Sequence, residues 1–304
     1  MRRTPLPATG LALLAFITLG WGLNWPAMKI ALAEVEPWTY RATMGVGGAI
    51  CLFLLALAVR QPLAIPRREW SAMVIAALLN FTIWQAAVAF GVAIMQSGQA
   101  SVITFTMPLW AVLFSAIFLG ERLGPRKLIG VAMGVGGVLL LAVGAEDSAA
   151  IRPLGVVFVL CGAISWAAGT VYIKHARFSA PSITLAAWQV TIGTLPMVLI
   201  AWFLEDLKIS HASTEAIAAM GFTVLIPFVL CYAAWFKVVS LFPAGIAAVG
   251  ILLVPVVAVF SGALVLGEDP GWSGYGALLL VLAALYLVLL RPDPDRDKDR
   301  EPSA

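Results

Sequence analysis

Trp21 and Asn24 stand three residues apart, and Asn80 and Trp84 four apart, each pair inside a long apolar run. Residues at those spacings share one face of a helix. Gln85 follows Trp84, and Trp166 and Thr170 repeat the four-residue spacing further along. An aromatic ring beside an amide or hydroxyl suits a small ligand with a flat apolar body and a polar end. Polar side chains are expensive in hydrocarbon and need a protein or water-lined environment. Trp21, Asn24, Asn80, Trp84, Gln85, Trp166, Thr170 and Tyr232 are therefore read as a substrate-binding set. It would grip through amides and rings, without a fixed charge. The competing reading for each is interhelical packing, at about 0.6 kcal/mol per hydrogen bond.

Other chemistries find no support. Cys51, Cys161 and Cys231 each sit alone in apolar runs, and His175 and His211 fall in expected loops, so no metal site is expected. No P-loop pattern and no cluster of His, Cys and carboxylate suggests ATP hydrolysis or another catalytic centre, and no cofactor is expected. No Asp or Glu falls in the middle of an apolar run, where proton- or sodium-coupled carriers usually keep one. Lys29 is the remaining candidate for a substrate carboxylate or a coupling role, set against simple snorkelling to the surface. Glu121 and Glu268 each follow a Gly at a run's end and are expected to fix loops. Pro26, Pro108, Pro196, Pro227 and Pro255 lie inside runs and should kink them. Pro108 and Pro255 are read as hinges.

The elements that carry these residues follow from composition. The chain of 304 residues is 62% hydrophobic and 12% charged. Its last fourteen residues hold nine of the 35 formal charges (19 basic, 16 acidic). The remaining 26 cannot coat a water-soluble fold of this size, which excludes an ordinary cytosolic enzyme, a disordered chain and a nucleic-acid binder. A bilayer core of about 30 Å needs roughly 20 apolar residues in helix. The sequence divides on that measure into ten spans, near 8–32, 38–59, 71–93, 98–119, 127–144, 154–174, 182–203, 215–239, 245–266 and 272–290. The first lacks a small-residue cleavage site and is read as a retained span. Tryptophans 25, 38, 70, 110, 202 and 272 near the span ends suit an interfacial aromatic belt. With the N-terminus cytoplasmic, 15 of the 19 Lys and Arg fall inside, leaving Lys29, Arg41, Arg152 and Lys208 outside. Both termini are expected in the cytoplasm of a bacterial inner-membrane protein. The alternating charges and prolines of 291–304 make a disordered cytoplasmic tail.

An internal repeat organises the rest. At an offset of 145, Gly10, Trp21 and Lys29 meet Gly155, Trp166 and Lys174; at 147, Gln85 meets Tyr232, Pro108 meets Pro255, and Gly120-Glu121 meets Gly267-Glu268. Residues 1–148 and 149–290 are thus two five-helix repeats. Five is odd, so the halves must be inverted. Inverted repeats meeting near the midplane are an architecture of secondary transporters.

The first helix reads Gly20-Trp21-Gly22-Leu23-Asn24-Trp25-Pro26-Ala27-Met28-Lys29, and the fourth and ninth spans run from Pro108 to Gly120-Glu121-Arg122 and from Pro255 to Gly267-Glu268. With the repeat, these motifs resemble the drug/metabolite transporter superfamily in its ten-helix EamA-type branch, over residues 8–290. Within it the chain is most similar to bacterial exporters of aromatic amino acids. In the second half the first-helix motif becomes Ser165-Trp166-Ala167-Ala168-Gly169-Thr170-Val171, without Asn or Pro, so the two halves differ in what they line. The resemblance implies a secondary transporter that exports amino acids or similar small amphipathic metabolites by alternating access, facilitated and not ATP-driven. The alternatives are a multidrug or phosphate-type carrier of the same superfamily, an integral-membrane enzyme and a passive channel. The expected partners are a small-molecule substrate and the lipid bilayer, with the chain a monomer or weak homo-oligomer.

Overall fold

A computed structural model describes residues 8–121, 123–144, 153–205, 209, 211–231, 234–235, 237–238 and 251–290, and among them no strand occurs. Ten helical elements follow in order: α1 Ala8–Leu32, α2 Pro37–Ala58, α3 Arg67–Ile94, α4 Ser97–Leu119, α5 Pro125–Gly144, α6 Pro153–Ala176, α7 Ser182–Leu204, α8 Thr214–Cys231, α9 Val254–Leu266 and α10 Gly271–Val288. Among the described residues nine are long and apolar enough to cross a bilayer. Helix is forced here, because hydrocarbon offers no partner to an open backbone. The expected spans agree with these elements within a few residues, apart from the end of the eighth, expected at 239 where α8 is described to Cys231, and the start of the ninth. The ninth expected span begins at 245, and 241–250 lie outside the described residues, as does the expected tail.

Element boundaries follow backbone chemistry. Pro37, Pro125 and Pro153 open α2, α5 and α6, where a missing N–H costs nothing. Gly120 and Gly267 close α4 and α9 with φ of +69° and +67°, a left-handed cap that favours glycine. Two irregularities recur in both halves. A π-helical stretch interrupts α3 at Leu78–Ile83 and α8 at Val224–Cys231. The fourth span is broken at Phe105–Thr106, between Ser97–Thr104 and Met107–Leu119, and Leu253 holds the equivalent position before α9. Pro108 and Pro255 therefore do not kink a continuous helix. Each is the second residue of a fresh one, whereas Pro26 and Pro196 stay within unbroken helices. At the first break, Thr106 Oγ1 donates to Ile103 O at 2.6 Å, and Trp110 Nε1 donates to Thr106 Oγ1 at 3.1 Å. Trp110 thus serves the break and Trp25 is buried, so neither joins an interfacial belt; Trp202 and Trp272 are well exposed near span ends and suit one.

The halves are exchanged as well as inverted. α2 packs on α7 and α5 on α10, while α1 packs on α8 and α9, and α6 on α3 and α4. The first helix of each half thus sits among the third and fourth of the other. At Gly98 a Cβ would come within 2.8 Å of Val259 Cα, so α4 and α9 meet backbone to backbone.

Carboxylates clasp the halves together. Glu34, after α1, accepts from Ser213 N at 2.6 Å and Ser213 Oγ at 2.7 Å, before α8. Glu69, in α3, accepts from Ser179 N at 3.2 Å and Ser179 Oγ at 2.6 Å, before α7. Positions 34 and 179 are repeat mates, and 69 and 213 are one residue from being so; the two clasps are one contact with Glu and Ser exchanged. The Ser213 hydrogen bonds, the side-chain one foremost, hold the Glu34 carboxyl below its ordinary range. The clasp's stabilisation is therefore present above the ordinary carboxylate pKa and lost as pH falls through the lowered one. Glu34→Ser should lower Tm in detergent by about 2–4 °C. Adding Ser213→Glu, which recreates the opposite clasp, should recover most of that loss; a double variant no better than the single would contradict the equivalence.

Candidate functional site

α1 presents Trp21, Asn24 and Met28 at spacings of three and four. Trp21 Nε1 donates to Pro227 O at 3.3 Å in the π-helical stretch of α8, and its ring lies 5.9 Å from that of Trp235. Pro227 is the repeat mate of Asn80, so Trp21 grips one half where Asn80 stands in the other. Asn24 Oδ1 is buried without a hydrogen-bond partner.

The other members meet between α3 and α6. Asn80 lies in the π-helical stretch of α3, near its middle, with its Oδ1 buried and unpartnered. A Cβ at Gly169 would run into the Asn80 amide, so that amide needs a glycine beside it. Trp84 Nε1 is also buried and unpartnered, and Gln85 is buried. Ser165 Oγ donates to Leu79 O at 2.8 Å, and Thr170 Oγ1 donates to Trp166 O at 2.9 Å within its own helix. The structure therefore divides the expected set between two interfaces, α1–α8 and α3–α6. Tyr232 lies outside the described residues. A cleft of about 430 Å³ between α2 and α7, lined by Val46, Ile50, Phe53 and Leu195 among others, contains none of the set.

Lys29 is accounted for by the fold. Its Nζ donates to Val92 O, Ala93 O and Met95 O at 2.7, 3.0 and 2.9 Å, spending all three protons on the end of α3. Nearby, Glu268 accepts from Ser97 N, Ser97 Oγ and Gly98 N at 2.7, 2.9 and 3.2 Å, capping the start of α4. The repeat mates Lys174 and Glu121 form an ion pair instead, with both side chains well exposed. Lys29 and Glu268 thus close one end of the molecule, and Lys174 and Glu121 meet at the other.

Four further polar groups stand outside the expected set, Gln99 and Thr104 among them although the sequence already marked these two as polar residues within a span. Gln99 Oε1, Ser101 Oγ and Thr104 Oγ1 of α4 are buried and unpartnered, in the segment before the break. Arg41 of α2 is 5% exposed, with Nη2 donating to Met28 Sδ at 3.0 Å and Nε unpartnered. The expected span 38–59 already contained Arg41, although the charge count set it outside.

The profile of the EamA-like transporter family matches twice, over residues 8–143 and 153–290. The chain is 30% identical to an uncharacterized transporter, YvbV, of Bacillus subtilis, over 95% of this chain and 93% of that one. It is 27% identical to a Salmonella typhimurium protein named "probable amino-acid metabolite efflux pump", over 91% and 93% respectively. A crystal structure with 18% identity superposes with a TM-score of 0.64 over 91% of this chain and 96% of that one, which bears on the fold. The chain is a multi-pass membrane protein and belongs to the EamA-like transporter family.

Proposed function

We propose that this transporter exports amino acids, neutral and aromatic ones foremost, or similar small amphipathic metabolites, by alternating access. The observation that carries the reading is the trio of buried, unpartnered atoms Asn24 Oδ1, Asn80 Oδ1 and Trp84 Nε1 on α1 and α3. Leaving such a group unmatched costs about 1–3 kcal/mol, so a ligand or water is its natural partner. Trp21, Trp84 and Trp166 supply aromatic walls, the amides and Thr170 supply hydrogen bonds, and Gln85 adds to the lining. The breaks before Pro108 and Pro255 serve as hinges, since a broken helix can reorient its two parts without losing further hydrogen bonds. The Salmonella relative's name supports the amino-acid class. The excess of Lys and Arg in one set of connections supports cytoplasmic termini and thus Lys29 and Glu268 at the outer end.

Proteoliposomes offered a labelled amino-acid panel test the reading. Saturable flux is expected on a substrate gradient alone, with little response to an imposed pH gradient. Accumulation against the substrate gradient on ΔpH alone contradicts facilitated export. Trp84→Ala should weaken apparent affinity for aromatic substrates several-fold and spare small ones, an aromatic contact contributing about 0.5–1.5 kcal/mol beyond area burial. Exposed Trp272→Ala should leave the substrate ranking unchanged. Wild-type transport across the panel by well-expressed Trp84→Ala and Trp166→Ala proteins would return these tryptophans to packing.

A further inference from the structure

Arg41 is a buried cation in unusual company. Its guanidinium carbon lies 5.2 Å from the centre of the Tyr40 ring, Nη2 donates to the Met28 thioether, and among the described residues Nε has no hydrogen-bond partner. Among the described residues no carboxylate pairs with it. Glu205, at the same end of α2, uses its two oxygens to accept from Trp38 N and Thr39 N at 3.1 and 2.6 Å. A buried charge without a counter-ion is strongly unfavourable, far more so than a buried amide. Arg41 is itself 5% exposed, and its fold neighbours Met28 and Tyr40 are among the most buried side chains. Lys29, one residue beyond Met28, is unlike it, because its protons are all taken by carbonyls.

A guanidinium presents parallel donors that match a carboxylate, and this one has donors unused. A second observation lies one helical turn away. Asn24 is four residues before Met28 on α1 and so shares its face, and Asn24 Oδ1 is a buried acceptor without a donor. Arg41 Nη2 rests on Met28, and the bare acceptor of Asn24 stands one turn before Met28 on the same face of α1, so a cation and an acceptor flank one stretch of that helix, the charge pattern of a zwitterion's partners. We propose that the carboxylate of the transported amino acid seats on Arg41 and its ammonium on Asn24 Oδ1, in the conformer in which α1 and α2 part at the Lys29 end. The inference rests on the amino-acid reading above and gives that substrate its polar anchor. It also replaces the expectation that the site works without a fixed charge.

The test uses the purified full-length protein with three probes: phenylalanine, phenylalaninamide, which lacks the carboxylate, and N-acetylphenylalanine, which lacks the ammonium. Ligand-induced shifts in thermal unfolding give apparent affinities. The wild type should prefer the two carboxylates over the amide. Arg41→Gln should weaken both carboxylates by about 10- to 100-fold and leave the amide unchanged. Asn24→Leu should weaken phenylalanine more than N-acetylphenylalanine. Arg41→Lys keeps the charge, and with it the fold, but loses the fork; its preference for carboxylate should drop several-fold. A wild type with no carboxylate preference, or that preference intact in whichever Arg41 variants fold, overturns the proposal. Flux in proteoliposomes separates the two claims. Carboxylate binding at Arg41 without amino-acid flux refutes export and keeps the anchor; flux indifferent to the carboxylate refutes the anchor and keeps export.

Discussion

Every helix that starts or stops near a membrane leaves peptide groups without partners, and every break inside one adds more. This structure meets that constraint largely with side chains from across the repeat. Glu268 caps α4 and Glu205 caps α2, both reaching from the second half to the first. Ser165 of α6 answers a carbonyl in the π-helical stretch of α3, and Trp21 of α1 answers one in the corresponding stretch of α8. Lys29, within its own half, closes the end of α3. The exchanged packing of α1 and α6 makes these reaches short. Once the caps are assigned, the polar atoms that no fold duty explains stand out, and among the described residues they concentrate in α1, α2, α3 and α4 of the first half.

That concentration fits the divergence of the two first helices. Asn24 corresponds to Gly169 at the repeat offset, and Gly169 is where the Asn80 amide needs room. An asparagine at both positions would crowd the α3–α6 interface. One half has kept the amide on its first helix, and the other has yielded space to an amide on its neighbour. Two related interfaces thus do different work: α1–α8 is closed by an indole hydrogen bond, while α3–α6 keeps an amide and an indole uncommitted.

Much of the fold was legible in the sequence because hydrophobic length and the 145–147 offset are strong, local signals. The spans, apart from the stretch around 241–250, and the placing of Glu268 after a glycine at a helix end follow from them. The clasps were not legible, since Glu34 and Ser213 are 179 residues apart and their equivalence to Ser179 and Glu69 exchanges the residue types. Proline marked the right places but not as kinks in a continuous helix: at Pro108 and Pro255 the helix has already broken two residues earlier, and proline is the second residue of the next segment. Trp110 was assigned to the aromatic belt because its partner Thr106, at the break, carried no signal in the sequence. Arg41 was lost because the charge count set it outside although the expected span 38–59 contained it.

The central claim is that the unpartnered amide of Asn80, near the middle of α3, faces a chamber that substrate and water enter. Replacing Cys51, Cys161 and Cys231 by serine leaves a background in which a single cysteine at position 80 can be probed with a small, charged thiol reagent. A control cysteine at position 279, where Leu279 is 68% exposed on the apolar surface of α10, reports on lipid. The account predicts that position 80 reacts in the membrane, that position 279 does not, and that a transported amino acid slows the reaction at position 80. Reactivity at position 80 as low as at position 279, or unaffected by any amino acid the protein carries, would contradict it.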